Sequence, residues 1–478
     1  MDLHQELKSR FGFNHFRPGQ EEVILSVLKR NDTIAILPTG VGKSLCYQLP
    51  GEMMDGLVLV VSPLVSLMED QVASIRKRGE KRVAALNSFL SSEERKSVLD
   101  EIHKIKFLFI SPEMISRPDM TNFLMKLPIS ILVVDEAHCI SQWGFDFRPD
   151  YLRLGEFIRS AGNPPILALT ATADARVETD IIRYLHMSKP NVIRQSLDRP
   201  NLTYTVQQLE MEADKTAWLK ERLITTKGPG IIYVASRKRA EELTRVLQQE
   251  GIAIASYHAG KEAGDRNIIQ QQFLTGEITW ICATNAFGMG VHKDNIRQVI
   301  HDQLPQSAAA YVQEAGRAGR DGELSAAVLL YVMGDEQKVR FIVQHDLPDE
   351  SQVRHFAAMR TSGQSIESSA ELAGISETGS RILRYYLETH SIDGVLKMFT
   401  KLKYDKEEKL RQMIAYVQAD SCLRAQLLSY FDESSPLKHD MCCSVCGTAN
   451  DEWLLSNGRP ANPRRLLPWQ ERIRLLLC

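Results

Sequence analysis

Short apolar runs alternate with longer amphipathic stretches through the first two thirds of the chain. Each run is four or five residues long and most are rich in β-branched residues, as is typical of strands buried on both faces of a parallel sheet. The first set of runs covers residues 33–37, 57–61, 107–110, 131–134 and 166–169. The stretches between them are long enough for helices, so the pattern predicts repeated strand–helix units and an α/β fold.

The same alternation restarts after a turn-rich segment. Residues 197–201 read Leu-Asp-Arg-Pro-Asn, which favours a linker. Further apolar runs follow at residues 231–234, 252–255, 278–282 and 299–300. We therefore predict a second α/β lobe that extends to about residue 335.

A phosphate-binding turn is predicted directly after the first apolar run. Residues 37–44 read Leu-Pro-Thr-Gly-Val-Gly-Lys-Ser and precede a predicted helix. The N–H groups of such a turn and the positive helix end bind phosphate, a lysine reaches the β- and γ-phosphates, and a hydroxyl can ligate Mg²⁺. The predicted nucleotide-binding residues are Thr39, Gly40, Gly42, Lys43 and Ser44. The strict pattern has glycine in place of Leu37, so an ordinary strand-to-helix turn stays open on this motif alone.

Two carboxylates follow the run at 131–134. Asp135 and Glu136 come directly after it, at the end of a strand where α/β sheets bind ligands. Asp135 can hold Mg²⁺ through water, and Glu136 can orient or deprotonate an attacking water. With Lys43 and Ser44 upstream, the two motifs predict a nucleoside triphosphatase.

The second lobe has no Gly-Lys-Ser sequence of its own, but it carries a pair of arginines. Arg317 and Arg320 lie three residues apart, so on a helix they would project from one face. A guanidinium group suits the charge of a phosphoryl transition state. We predict that this lobe closes on a nucleotide that the first lobe holds.

The overall composition is that of an ordinary globular protein. Of 478 residues, 44% are hydrophobic and 25% are charged, which allows two or three domains. No apolar run has the length of a transmembrane helix and the N-terminus does not resemble a signal peptide, so we expect a cytoplasmic protein without a membrane partner. The formal net charge is −2, so nucleic-acid binding would have to use local basic surfaces.

With these motifs in place, the chain resembles the RecQ family of superfamily-2 DNA helicases. The matching stretches are 11–20, 38–48, 62–68, 135–138, 170–173 and 313–320, in the order and spacing of the family's motifs 0, I, Ia, II, III and VI. The resemblance implies two tandem RecA-like parallel-sheet lobes, ATP and Mg²⁺ as cofactors, and recognition of adenine by Arg17 and Gln20. It also implies an ATP-dependent helicase that moves 3′ to 5′ on single-stranded and forked DNA in repair, replication or recombination.

Residues 139–150 resemble the aromatic-rich loop that couples single-stranded DNA to ATP hydrolysis in this family. The expected DNA-contacting residues are Trp143, Phe145, Phe147 and Arg148. Aromatic faces stack on bases and an arginine can meet phosphate. The alternative is that the aromatic residues anchor the loop in the core. Phe145 stands where the family usually has histidine.

Four cysteines resemble the zinc module that follows the helicase core in RecQ proteins. They are Cys422, Cys442, Cys443 and Cys446. Four thiolates suit tetrahedral Zn²⁺. Because relatives often space the last three ligands differently, His439 and Asp440 stay open as alternatives to Cys442.

The resemblance and the linker give five predicted regions. Residues 1–197 form the first lobe, 198–335 the second lobe, 336–405 a helical insert, 406–450 the mostly helical zinc-binding module and 451–478 a basic tail. Within the insert, residues 366–387 read as helix, glycine turn and helix. A DNA-reading helix-turn-helix would present Thr378, Ser380, Arg381 and Arg384. The other interpretation is a helical hairpin that packs on the zinc module.

Several alternatives remain for the activity. A nucleotide-switched DNA-binding or annealing protein, a translocase that does not separate strands and an RNA helicase all fit the nucleotide motifs. The stretch after Cys446 is too short for the winged helix of longer relatives. We also expect a monomer, a single-stranded-DNA-binding protein as a candidate partner, and association with the nucleoid if the source is bacterial.

Overall fold

A computed structural model describes residues 2–87, 90–141, 147–285, 287, 293–434, 441–447 and 451–455. Several predicted features lie outside the described residues. They are Trp143, Phe145, His439, Asp440 and the tail beyond residue 455.

The described part of the first lobe is built on a seven-stranded parallel sheet. Its strands are Thr33–Ile36 (β1), Leu57–Val61 (β2), Val83–Leu86 (β3), Phe107–Ile110 (β4), Ile129–Val134 (β5), Ile166–Thr170 (β6) and Asn191–Arg194 (β7). Their order across the sheet is β3-β4-β2-β5-β6-β1-β7. Only β6 separates β1 from β5, and all three run in the same direction. The predicted phosphate and metal residues therefore meet at one edge of the sheet.

Helices cover both faces of this sheet. They are Leu3–Phe11 (α1), Gln20–Leu28 (α2), Leu45–Met53 (α3), Val65–Lys77 (α4), Ser92–Asp100 (α5), Pro112–Ile115 (α6), Pro118–Leu124 (α7), Leu154–Ser160 (α8) and Ala175–Tyr184 (α9). Alternate residues of β1 enter different apolar cores, with Ile34 and Ile36 in one and Ala35 in the other. Burial on both faces explains why the strands appear in the sequence as continuous apolar runs.

The second lobe repeats the architecture with a six-stranded parallel sheet among the described residues. Its strands are Leu202–Leu209 (β8), Gly230–Tyr233 (β9), Ile254–Tyr257 (β10), Trp280–Ala283 (β11), Gln298–His301 (β12) and Ser325–Val332 (β13), in the order β10-β11-β9-β12-β13-β8. Its helices are Glu212–Thr225 (α10), Arg237–Gln249 (α11), Ala263–Thr275 (α12) and Ala308–Ala315 (α13). The two-lobe α/β prediction is confirmed.

The C-terminal region is helical. Its helices are Asp335–His345 (α14), Glu350–Thr361 (α15), Ile366–Leu372 (α16), Glu377–Thr389 (α17), Ile392–Val417 (α18) and Leu423–Ser429 (α19). The first half of α18 places Val395 and Phe399 in the core of the insert, and its second half places Leu410 and Met413 in a core of the second lobe. The long helix thus joins the insert firmly to the second lobe.

The predicted helix, glycine turn and helix are present as α16, Gly374 and α17. Arg381 of α17 pairs with Glu113 and Asp150, both of which belong to the first lobe. The hairpin therefore packs on α15 and α18 in the core of the insert and also contacts the first lobe, where Arg381 is engaged by carboxylates of the protein itself. No helix in the described part of the chain combines the length and the apolar content that a bilayer crossing requires.

Candidate nucleotide-binding cleft and zinc site

The turn after β1 has the backbone of a phosphate cradle. Gly40 and Gly42 adopt φ angles of 86° and 81°, a region in which residues with a side chain are strained. The branched residue Val41 lies between the two glycines, and helix α3 begins immediately afterwards at Leu45. Lys43 and Ser44 consequently sit at the positive end of a helix, where an anion is stabilised.

The two residues expected to recognise adenine support this turn from the side. The Gln20 amide donates to the carbonyl oxygens of Val41 and Gly42 at 2.7 and 3.1 Å. Its oxygen accepts the backbone N–H of Arg17 at 2.8 Å, and the Arg17 guanidinium donates to the carbonyl of Gly40. Both side chains line the cleft, so their role with adenine stays a prediction.

The two carboxylates after β5 line the same cleft as Lys43. Burial and the neighbouring Glu136 raise the pKa of Asp135 to about 7. Burial acts in the same sense on Glu136, but Lys43, His138 and Arg317 together lower the pKa of that carboxyl. Two adjacent buried carboxyls with this charge imbalance fit a divalent cation, and the Ser44 hydroxyl is the oxygen donor on the turn.

Glu136 has an unusual backbone. Its φ and ψ are both 48°, the left-handed region that a residue with a side chain rarely adopts. Such a conformation is often found at functional sites, where the surrounding structure holds it in place. Here a short 3₁₀ turn, Ala137–Ile140, follows at once and turns the chain away from the sheet.

His138 connects this segment to the end of strand β6. Its ring lies 3.4 Å from the Glu136 carboxylate, and its Nδ1 lies 3.0 Å from the Thr170 hydroxyl. The side chain is almost fully buried, so these contacts are shielded from water. The sequence analysis predicted no role for His138. In the structure it connects Glu136 of motif II to Thr170 of motif III.

The two arginines of the second lobe also face the cleft, but they are not helical. Helix α13 ends at Ala315, and Arg317 and Arg320 lie in the turns that follow. The prediction that they share a helix is wrong, because Gly316 ends the helix and the Gly319 backbone has a positive φ of 59°. Burial and the nearby Arg317 lower the pKa of Arg320 to about 10.

The lobes touch at these turns. A Cβ atom on Gly40 would lie only 2.9 Å from Arg320 Cγ, so the glycine permits the close approach. The Thr39 hydroxyl also donates to the Gly316 carbonyl at 3.0 Å. The phosphate-binding turn and the arginine turn are thus in direct contact.

A cavity of about 440 Å³ lies where these residues converge. Its lining includes every predicted nucleotide-binding and catalytic residue, namely Arg17, Gln20, Thr39, Gly40, Gly42, Lys43, Ser44, Asp135, Glu136, Arg317 and Arg320. Phe13, Arg78 and Asp294 line it as well and had no assigned role. Phe13 is 56% exposed, unusual for a large apolar side chain, and it lies in the same short stretch as Arg17.

Two of the residues predicted to contact DNA are described. Phe147 packs against the apolar cores of both the first lobe and the helical insert, which matches the alternative of a loop anchor. Arg148 donates to the Pro63 carbonyl at 2.6 Å, so it joins the aromatic-rich segment to the loop after β2. The contact of Phe147 and Arg148 with DNA stays a prediction.

The four cysteines come together in the C-terminal region. Their Sγ atoms all lie within 4.8 Å of one another, and Cys422 Sγ is 3.5 Å from Cys442 Sγ. Although burial opposes it, backbone N–H groups of Cys446 and Leu423 lower the pKa of Cys443, whereas burial raises the pKa of Cys442 to about 11. The cluster fits tetrahedral Zn²⁺ with Cys442 as the fourth ligand.

Comparison with known families matches three parts of the chain. Residues 17–181 match the DEAD/DEAH box helicase model, residues 214–322 the helicase conserved C-terminal domain and residues 381–447 the RecQ zinc-binding model. The chain is 44% identical over 457 residues to the probable ATP-dependent DNA helicase RecS of Bacillus subtilis, covering 93% of this chain and 92% of that protein.

The chain belongs to the RecQ family. It is also 42% identical over 332 residues to the ATP-dependent DNA helicase RecQ of Haemophilus influenzae, covering 69% of this chain and 53% of that protein. Among solved structures, Mss116p bound to single-stranded RNA aligns with a TM-score of 0.59 and 17% identity, over 82% of this chain and 90% of that one. A DNA-bound structure of the helicase MrfA aligns with a TM-score of 0.58 and 19% identity, over 71% of this chain and 52% of that one.

The family assignment confirms the expected activity class. This RecQ-family chain is an ATP-hydrolysing helicase, and ATP, Mg²⁺ and Zn²⁺ are its cofactors. Because the sequence identity to Mss116p and MrfA is low, these two alignments support only the two-lobed fold described above.

Proposed function

We propose that this RecQ-family protein is a DNA helicase that hydrolyses ATP in the cleft between its lobes and moves 3′ to 5′ along single-stranded DNA. One observation carries the proposal. Lys43, Asp135 and Glu136 of the first lobe and Arg317 and Arg320 of the second lobe line the same 440 Å³ cavity. The polarity of movement follows from the family and from no distance in the structure.

Each side chain has a task in this scheme. Lys43 and the turn around Gly40 and Gly42 bind the phosphates, while Phe13 offers the adenine a stacking surface beside Arg17. Ser44 and Asp135 would hold Mg²⁺, which would supply positive charge to the phosphoryl oxygens.

Hydrolysis then needs a base and a positive charge from the second lobe. Glu136 has a lowered pKa, so it is ionised at neutral pH and can orient water and accept its proton. Arg317 and Arg320 stabilise the charge that develops on the transferred phosphoryl group. Because these arginines belong to the other lobe, release of the products removes a reason for the lobes to stay together, and the cleft can reopen.

Replacement of Lys43 by alanine tests the site. We expect K43A to lose at least 99% of the DNA-stimulated ATPase activity, roughly a hundredfold or more, since the main cation of the cradle is gone. Circular dichroism should show an unchanged fold. Substantial turnover by a folded K43A protein would refute the assignment of the cleft.

Forked duplexes test the helicase itself. The protein should separate a duplex with a 3′ single-stranded tail and not one with a 5′ tail, and it should need ATP to do so. ATP hydrolysis without strand separation would indicate the translocase or annealing alternative, and stimulation by RNA alone would indicate an RNA helicase.

We propose further that the protein works as a monomer, associates with the nucleoid in a bacterial cell and has a single-stranded-DNA-binding protein as a partner. Light scattering at the assay concentration checks the first point. Co-sedimentation with single-stranded DNA that carries the binding protein checks the last.

A further inference from the structure

The linker between the lobes carries an arginine that bonds to both of them. Arg199 donates through Nη1 to the Thr39 carbonyl at 3.3 Å, on the phosphate-binding turn. The same nitrogen donates to the Gly316 carbonyl at 3.2 Å, and Nη2 donates to the carbonyls of Ala318 and Gly319 at 3.3 and 2.6 Å. One guanidinium group therefore holds the phosphate-binding turn against the turn that carries the catalytic arginines.

Burial makes the Arg199 guanidinium group depend on these hydrogen bonds. The side chain is largely buried, and burial lowers the pKa of its guanidinium group. A buried cation must find acceptors, and here carbonyl oxygens from two lobes supply them. The planar guanidinium group of arginine can donate to several acceptors in different directions, whereas the compact ammonium group of lysine is less suited to this.

A second arginine fixes the linker from the C-terminal side. Arg424 of α19 is 1% exposed, and it donates to Asp198 Oδ1 at 2.5 Å and to the backbone carbonyl of Arg199 at 2.9 Å. It also donates to the carbonyl of Leu202, at the start of β8. The backbone is thus held on both sides of Arg199.

The zinc module supports this arrangement. Helix α19 begins directly after Cys422, so Arg424 lies two residues from a predicted zinc ligand. Beyond α19, the Glu433 carboxylate accepts the Ser196 hydroxyl at 2.6 Å and the Leu197 N–H at 3.1 Å. The C-terminal module therefore forms hydrogen bonds with four consecutive residues, 196–199.

We infer that Arg199 is a positioning residue for ATP hydrolysis and that Arg424 sets its position from the zinc module. The inference rests on the proposed function of the cleft. Arg199 acts through the two turns that it joins, so its loss weakens the closed arrangement of the lobes. The C-terminal module then contributes to nucleotide binding without lining the nucleotide cavity.

Steady-state kinetics with saturating single-stranded DNA test the inference. We expect R199A to raise the KM for ATP about tenfold and to lower kcat about tenfold, because bonds that span the two lobes are lost. R199K should fall between R199A and the wild type, since it keeps the charge but not the fork. Binding of a fluorescent ADP analogue, measured without turnover, should weaken in the same order.

Arg194 provides the matched control. It bonds to the Ala173 carbonyl and to Glu178, both within the first lobe, and it lies five residues before Arg199. R194A should therefore keep KM and kcat within about twofold of the wild type.

The contribution of the C-terminal module needs its own variants. R424K and D198N are conservative changes at the buried pair, and each should raise the KM for ATP about threefold while the melting profile stays cooperative. A KM unchanged in both folded variants would overturn the role of Arg424. Kinetics of R199A and R199K that match R194A would overturn the role of Arg199. An inactive wild type would instead refute the proposed function, and the inference with it.

Discussion

Arginines in the nucleotide cleft and in the helical insert reach the first lobe, and these two settings differ. In the cleft, Arg317 and Arg320 lie beside each other, and burial with mutual repulsion lowers the pKa of Arg320 to about 10. At the insert, Arg381 bonds to Glu113 and Asp150, and although burial opposes it, these carboxylates raise its pKa. We call the second contact the insert dock.

In the cleft, two guanidinium groups repel each other, although Glu136 interacts favourably with Arg317 and Asp294 with Arg320. A triphosphate bound beside them would offset that repulsion. Arg381 instead meets two carboxylates of the protein, so it has little charge left to offer a nucleic acid. The same residue type thus lines a cavity in one region and pairs with carboxylates of the protein in the other.

The largest expected effect is on the cleft. R317A should lower kcat about a thousandfold, because the charge that stabilises the transition state is removed. R381A should leave the ATPase rate without DNA within about twofold. Single-turnover hydrolysis of radiolabelled ATP measures both rates. An equal loss of ATPase rate in R317A and R381A would contradict the distinction between the cleft and the insert dock.

The carboxyl side of the cleft gives a smaller, pH-dependent effect. The pKa of Asp135 in the folded protein, about 7, is higher than the usual value of 3.8 expected when the chain is unfolded. The folded state therefore retains a proton that the unfolded state releases, and this stability is lost as the pH rises through 7. Without Mg²⁺ and nucleotide, the unfolding free energy should fall by about 1 kcal/mol between pH 6 and 8 from this group alone.

Urea titrations of the wild type and D135N measure this difference. D135N carries no titrating group at the position, so its stability should fall less over the same pH range. Parallel curves for the two proteins would show that the carboxyl has an ordinary pKa.

The smallest effect belongs to the insert dock. R381A should cost about 0.5 kcal/mol, since the pair is partly exposed and screened by water, and the loss should shrink at high salt. Hydrogen exchange in α17 should rise in R381A. R384A is the control, because Arg384 lies one turn away and its ion pair among the described residues is with Glu388 of the same helix. Equal exchange in both variants would argue against the dock as a specific contact.

Uniform burial helped the sequence prediction but did not decide it, because β13 was missed although seven of its eight residues are buried, and β3 was missed as well. Strands β2 and β4 were predicted to the residue, since they are apolar on both faces. Strand β7 was missed because it is a largely exposed edge strand that reads Asn-Val-Ile-Arg. Strand β8 was also missed, because it lies at the edge of its sheet and its second half is polar.

The candidate site could be predicted wherever a short motif carries the chemistry, as with Lys43, Asp135 and Arg320. Contacts between segments that are distant in the sequence could not be predicted. Arg199 appeared only as part of a linker, and nothing near it in the sequence indicates that Thr39 and Arg424 are its neighbours. Similarly, the spacing of Arg317 and Arg320 suggested a helix, but the glycines between and before them favour turns.

The close packing of Gly316 against Thr39 offers a way to perturb the contact between the two lobes. A Cβ atom at this position would lie 2.3 Å from the Thr39 hydroxyl, closer than two such atoms can approach. G316A would therefore displace the Thr39 hydroxyl or strain the end of α13 at the Val312 carbonyl. It would disturb the contact between the two lobes without changing a charged residue.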